Sequence, residues 1–438
     1  MNQSAGNSAI DATSTPARSK TRWLICALLF GATTINLMNR QVFGILAPDL
    51  QHRFEWTEVQ YGYLVAAFQL AYSFGLVAVG RLIDRFGTRL GYATIIGLWS
   101  LVTIAHGFVR TALGFGIVRI LLGLSEAGNF PAAAKGTAEW FPIRERSLVA
   151  GIMNAGTNMG VIAAALLVPW LSIRYGWQSA FVVTGFFGVV CCGWWWFSYR
   201  TPDQHPRVSA AEYALITGNQ AKLGAVPRES RKLVPSHKLL RTRQLWAFTI
   251  AKFLVDPVWF FYLSWLPKFL NKTYHLPVAG LSLPLVIIYL CSDMGSIVGG
   301  WWPGVLVRAG KSMSHARRRV MLPCALAVLP MVFGSHIHSL WLVVAMIGIA
   351  LAAQQGWSAN VYAIASDLFP NNSVASVVGF GSMAGSIAAA LFAVVTGWIL
   401  QTTRSYLPIF IYSASAYLVA FGILQWLVPN LERAELTT

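Results

Sequence analysis

Arg119-Ile-Leu-Leu-Gly-Leu-Ser-Glu126-Ala-Gly-Asn-Phe-Pro131 lies inside a run of mostly apolar residues long enough to cross a bilayer. Its arginine and glutamate are seven residues apart. On an α-helix this is two turns, with the side chains offset by only about 20° around the axis. Facing lipid, each charge would cost roughly 2.5–3.5 kcal/mol at the membrane centre. Both should therefore face protein or water. Intramembrane charges mark functional sites, although a buried pair that only fixes helix packing uses the same residues.

The rest of the chain has the composition of a membrane protein. Of 438 residues, 56% are hydrophobic and 11% charged, against about 25% charged in soluble domains. Mean hydropathy is +0.56. Twelve apolar segments can be drawn, at about 22–46, 60–82, 89–108, 111–133, 146–171, 177–199, 244–270, 279–306, 319–336, 339–362, 373–400 and 405–428. Backbone groups in lipid must be satisfied internally, so these should be helices. The expected organisation is a disordered cytoplasmic tail over 1–20, a six-helix bundle over 21–199 and a cytoplasmic linker over 200–243. A second bundle over 244–430 and a short cytoplasmic tail over 431–438 follow. No small-residue cleavage site follows the first apolar run, which reads as a span and not a signal peptide.

The net charge of +17 is distributed as a topology signal. With the N-terminus inside, twenty-three of the 33 Lys and Arg fall in cytoplasmic segments and six in outer loops. Arg40, Arg119, Lys135 and Lys252 lie within or at the edge of spans. This excess favours anionic lipid and argues against nucleic acid as a partner. Five cysteines sit in apolar runs without metal-ligand spacing. There is no Gly-x4-Gly-Lys-Ser/Thr loop, and no nucleophile–base constellation points to an enzyme.

The halves echo one another. Gly80-Arg-Leu-Ile-Asp84-Arg85-Phe-Gly87-Thr-Arg89 follows the second segment, and Gly299-Gly-Trp-Trp-Pro-Gly304 with Arg308 and Arg317-Arg-Arg319 follows the eighth. Recurrence at corresponding places points to two related bundles. The first of these loops resembles the signature loop of the major facilitator superfamily. Asn39-Arg40-Gln-Val-Phe-Gly, Ala67-Phe-Gln-Leu-Ala-Tyr72, Arg119…Pro131 and Trp140-Phe-Pro-x-x-Glu145-Arg146 together resemble its anion:cation symporters. Gln355-Gly-Trp-Ser-Ala-Asn360, Ser366-Asp-Leu-Phe-Pro370 and Ser376-Val-Val-Gly379 are similar to the hexuronate-transporter branch. The resemblance implies an all-α protein of twelve transmembrane helices in two bundles, cotransporting a sugar acid with protons. Gly80, Asp84, Arg85, Gly87 and Arg89 would serve conformational gating.

The residues lead to a similar chemistry. A carboxylate substrate needs a fixed positive charge, which arginine supplies as a planar fork. Arg40 and Arg119 are the deep arginines of the first half, and their matching positions in the family serve the anion site. Glu126 is the proton carrier, because burial and a nearby arginine act oppositely on its proton affinity. Asn39 replaces the acidic residue that the family usually has there, a second proton site. Sugar hydroxyls call for neutral donors, acceptors and aromatic faces. Tyr72, which matches a family binding position, Gln69, Thr157, Asn158 and Asn154 are first-half candidates; for Asn154 and Asn158, interhelical packing is an equal reading. In the second half Trp357, Asn360 and Tyr362 are selected, with Trp259, Tyr262, Gln354, Gln355 and Ser358 as further cavity-lining residues. Lys252 and Asp256, one turn apart, read equally as a structural pair or a transport element, and Asp293 should reach similar depth.

The expected protein is a multi-pass transporter of the bacterial inner membrane with both termini cytoplasmic, importing a hexuronate with protons. No cofactor beyond the proton, a monomeric working unit, and contact with lipid are expected. Hexonates such as galactonate or other organic anions are the alternative substrates. A non-transporting anion receptor is the alternative of another class.

Overall fold

The computed structural model describes residues 20–224, 236–369 and 371–429. Most of the expected tails, and 225–235 of the linker, lie outside the described residues. Helix α1 (Thr21–Ile45) leads through a short α2 (Ala47–Phe54) into α3 (Glu58–His106). Thr57 and Gln60 cap α3 reciprocally, each side chain meeting the other's backbone N–H. Within α3, Gly87 sits at φ 78°, a backbone region open to glycine, and separates two helical limbs. The fourth segment is also divided, into α4 (Ala112–Glu126) and α5 (Asn129–Trp140). Helices α6 (Ile143–Tyr175) and α7 (Trp177–Ser198) complete the first half.

The linker contains α8 (Ala210–Gly224) and α9 (Ser236–Leu240). The second half comprises α10 (Arg243–Tyr274), α11 (Ser282–Arg308), α12 (Met313–Val328), α13 (Leu340–Leu368), α14 (Asn371–Thr403) and α15 (Leu407–Leu427). Among the described residues, ten helices are long and apolar enough to cross a membrane. The segments expected at 60–82 and 319–336 are not among them, although both are largely helical. The second of these is α12 followed by a 3-10 turn over Leu329–Phe333, and its first turns carry Arg317-Arg318-Arg319, which shortens its apolar stretch.

The two halves repeat one packing scheme. In the first, α1 packs on α6, the first limb of α3 on α4, and its second limb on α7. In the second, α10 packs on α14, α11 on α13, and α12 on α15. Counted as passes, first meets fifth, second meets fourth and third meets sixth in both halves. Close approach makes these seams tight: a Cβ on Gly299 would lie 2.2 Å from the Cα of Gly356, so α11 and α13 touch backbone to backbone.

Between the halves, α3 meets α14, α6 meets α11, and α1 meets α10. Many of the described polar links between them lie at the face where α1 ends. Glu58 pairs with Lys268, and its backbone N–H donates to Gln401 Oε1 at 3.1 Å. The Tyr61 hydroxyl donates to the Ser264 carbonyl at 2.6 Å. A Cβ on Gly62 would stand 2.7 Å from the Ala393 carbonyl oxygen. That face is closed by direct backbone contact.

Candidate functional site

Glu126 is the last residue of α4, and its side chain is 0% exposed. Its carboxylate does not pair with Arg119 of its own helix. It accepts from Arg40 Nε of α1 at 2.9 Å. The Arg40 guanidinium lies 4.6 Å from the Tyr72 ring and 5.1 Å from the Phe68 ring. Arg119 also lies over the Phe68 ring, at 4.4 Å, and stands 4.5 Å from Phe43. Only 3% of Arg119 is exposed, and Nε reaches the Leu64 carbonyl at a long 3.5 Å. Cation–π contact partly replaces hydration for both arginines.

Unmet hydrogen-bonding capacity concentrates around this cluster. Arg40 Nη2, Arg119 Nη1, Glu126 Oε1 and both amide atoms of Asn39 and Gln69 are buried without a partner among the described residues. An unsatisfied buried polar group costs about 1–3 kcal/mol, so such a concentration marks a place for a polar ligand or ordered water. Asn36, likewise buried and unpartnered, was missed by the sequence reading. Its signal was there: Asn36, Asn39 and Arg40 are spaced i, i+3, i+4 and share one face of α1. A cavity between the halves is lined by Arg40, Gln41, Phe68, Gln69 and Arg119, and by Phe260, Leu263 and Ser264 from α10.

The second half supplies its own charged cluster. Lys252 Nζ lies 2.8 Å from Asp256 Oδ2 and donates to the Tyr362 hydroxyl at 2.9 Å. Trp357, Ser358 and Tyr362 line a cavity with this pair. The buried indole N–H of Trp357 has no partner among the described residues. Asn360 is placed differently from the expectation that it lines the cavity. Its amide N–H groups donate to the Gly299 and Gly356 carbonyls at 2.9 and 2.8 Å, and its oxygen accepts from Arg317 at 3.3 Å. Asn360 is a clamp between α11, α12 and α13, with its capacity used.

Other expected residues divide similarly. Asn158 is buried and lies against the Asp293 carboxyl across the halves, whereas Thr157 turns back to its own helix at the Met153 carbonyl, 3.4 Å away. Asn154 is exposed. In the expected gating loop, Arg89 donates to the Trp196 carbonyl at 2.9 Å and stands over its ring, while Arg85 is exposed. The side chain of Asp84, and the surroundings of Gly80, lie outside the described residues. Thr88 and Tyr199 both donate to Glu139 beside this loop. Burial and that carboxylate push the Tyr199 phenol upward. Trp194 and Trp196 are exposed as an interfacial belt requires, but Trp195 is buried in the first-half core.

Two buried arginines thus share the Phe68 ring at a cleft between the helical halves. The sequence model described as Major Facilitator Superfamily matches residues 29–313. The chain belongs to the Major Facilitator Superfamily. Its similarity to the hexuronate transporter of Escherichia coli (strain K12) is 29% identity over 409 residues, covering 93% of each chain. A probable galactarate/D-glucarate transporter of Bacillus subtilis (strain 168) is 30% identical over 405 residues, covering 90% of this chain and 89% of the other. The galacturonate transporter of Dickeya chrysanthemi is 30% identical over 283 residues, 64% of this chain and 81% of its own length. Among solved structures, a D-xylose-proton symporter superposes with a TM-score of 0.73 at 12% identity, over 93% of this chain and 98% of that one. An inward-facing bacterial homolog of the lysosomal transporter Spinster gives 0.69 at 17%, over 94% and 95%. These superfamily proteins have the expected all-α fold of two bundles, and the chain is a transporter and not an enzyme.

Proposed function

We propose that this superfamily member imports a hexuronate with protons across the bacterial inner membrane, both termini lying in the cytoplasm. The observation that carries the reading is Arg119: a buried guanidinium without an ion-pair partner among the described residues, facing a cavity shared by the two halves. It is suited to hold the substrate carboxylate. Arg40 joins it when Glu126 takes a proton and releases the guanidinium, so that binding and protonation favour each other. The relatives that act on hexuronate and galacturonate support the substrate class.

Gln69 in the cavity wall and Tyr72 under Arg40 are suited to ring and hydroxyl contacts, with Tyr362 of the other half in electrostatic reach of Tyr72. Asn39 cannot titrate, which leaves Glu126 as the acidic group of this cluster. Closure at the face where α1 ends fits an inward-facing state of a rocker-switch cycle, with the positive charge of the linker and short loops on the cytoplasmic side. The working unit is a monomer, bordered by lipid.

Purified protein in liposomes should accumulate D-glucuronate or D-galacturonate under an inward proton gradient. Arg119→Gln removes two charge-assisted hydrogen bonds, about 3 kcal/mol, and should weaken binding on the order of 100-fold. Retained affinity would overturn the assignment. Binding without flux would replace the transporter by a receptor.

A further inference from the structure

We propose that Lys252, Tyr362 and Trp357 form a second anion subsite that takes the far carboxylate of a dicarboxylic sugar acid, Asp256 standing in for that carboxylate when none is bound. This rests on the reading of the central cavity as a sugar-acid site.

Lys252 is 5% exposed, with its ammonium 4.3 Å from the Tyr362 ring centroid. Taking two charges out of water to join residues one turn apart gains little for packing that an apolar pair would not give. The pair is nonetheless accommodated with care: a Cβ on Gly385 would fall 2.1 Å from Asp256 Oδ2, so α14 carries glycine where the carboxylate needs room. Trp357, which lines the same cavity, has a buried indole N–H without a partner among the described residues. An ammonium, a phenol hydroxyl and an indole N–H together are a donor set for a carboxylate.

The two anion sites face one another. Tyr72 underlies Arg40 in the first half, Tyr362 underlies Lys252 in the second, and the two phenols are within electrostatic reach across the gap. A six-carbon acid held beside Arg40 and Tyr72 at one end extends toward Tyr362 and Lys252 with the other. A monocarboxylate leaves the Lys252–Asp256 pair closed and neutral. A dicarboxylate would bury its second charge without a counter-ion unless it displaces Asp256, which then accepts hydrogen bonds from the substrate hydroxyls.

Isothermal titration of the full-length protein with D-glucarate (two carboxylates) and D-glucuronate (one) gives a preference ratio. Lys252→Gln should lower the glucarate preference at least tenfold. Asp256→Asn removes the competitor and should raise it at least threefold. The neutral pair Lys252→Gln/Asp256→Asn should follow Lys252→Gln, and decides the matter if Asp256→Asn alone does not fold. Opposite signs for the single variants support the subsite. Equal loss for both acids in both variants would make the pair structural and overturn it, as would wild-type binding of glucuronate alone. If the wild type binds neither acid, the sugar-acid reading itself fails.

Discussion

Glu58 is the carboxylate at the closed face. It contacts Lys268, whose side chain is 6% exposed, and Lys272 at 3.9 Å, while its own side chain is 16% exposed. Glu58→Gln removes the charge but keeps the shape, and leaves Lys268 buried beside Tyr61 without its carboxylate. Removing one partner of a fully buried pair costs about 3–5 kcal/mol. With Glu58 partly open to solvent, about 1–3 kcal/mol is the appropriate range. Lys268 regains water when the face opens, so the cost falls on the closed state and shifts the closed-to-open ratio by about 5- to 150-fold. Spin labels at the exposed positions Arg53 and Arg404 report the separation of the halves there by double electron–electron resonance. Glu58→Gln should move the distribution to longer distances. Adding Lys268→Met removes the stranded charge and should restore closure. An unchanged distribution in Glu58→Gln, with the protein folded, would refute the latch.

Further predictions follow from the site and the linker. In the wild type, one proton linked to binding should change apparent substrate affinity up to tenfold per pH unit; Glu126→Gln should flatten that slope and abolish proton-driven accumulation while exchange continues. Asn39→Asp adds a titratable group beside the pair, and counting protons per substrate in liposomes should give a higher number than in the parent. Asn360→Ala takes one partner from Arg317, which keeps Asp367 at 2.6 Å, and leaves the Gly299 carbonyl without its donor, costing about 1–3 kcal/mol, so it should lower the melting temperature by a few degrees. His205, in the linker, packs edge-on against Trp140 at 5.3 Å, and burial, aided by Arg207 and Arg200, holds its pKa below the usual value of 6.5. A depressed histidine supports docking above pH 6.5 and loses it as pH falls through its folded value. Proteolysis of the linker should therefore accelerate between pH 6.5 and 5, and His205→Asn should remove that dependence.

The fold was legible because lipid leaves the chain so few choices. Apolar runs of spanning length must be helical, and every segment drawn from the sequence is largely helix. The breaks were harder to read. Gly87 ends one limb and begins the next at a position where the signature loop already marked a turn, whereas the fourth segment divides at Ala127-Gly128, where glycine allows a break or close helix contact and does not by itself choose between them. Span nine was drawn by hydropathy from residue 319, but its helix starts at Met313, because Ser312 caps the His315 N–H and the arginine turn belongs to the helix.

The sequence singled out Arg40, Arg119 and Glu126 but not how they pair, and it set Asn360 at a cavity where the structure makes it a clamp between helices. Helical periodicity puts Arg119 and Glu126 on one face, yet an ion pair is chosen by three-dimensional approach. Glu126, at the broken end of α4, meets Arg40 from another helix instead. The consequence is functional. Had Glu126 paired with Arg119, both charges would ride on one helix, and substrate could compete with the proton only locally. The observed pair joins α1 to α4 and leaves Arg119 without an ion-pair partner among the described residues, held by two aromatic faces and one distant carbonyl. Lys252, one turn from Asp256, shows the reverse: there the local pair predicted from spacing does form. Of Arg40, Arg119 and Lys252, Arg119 alone lacks a carboxylate partner among the described residues, and in the proposed cycle it is therefore where an incoming anion gains most.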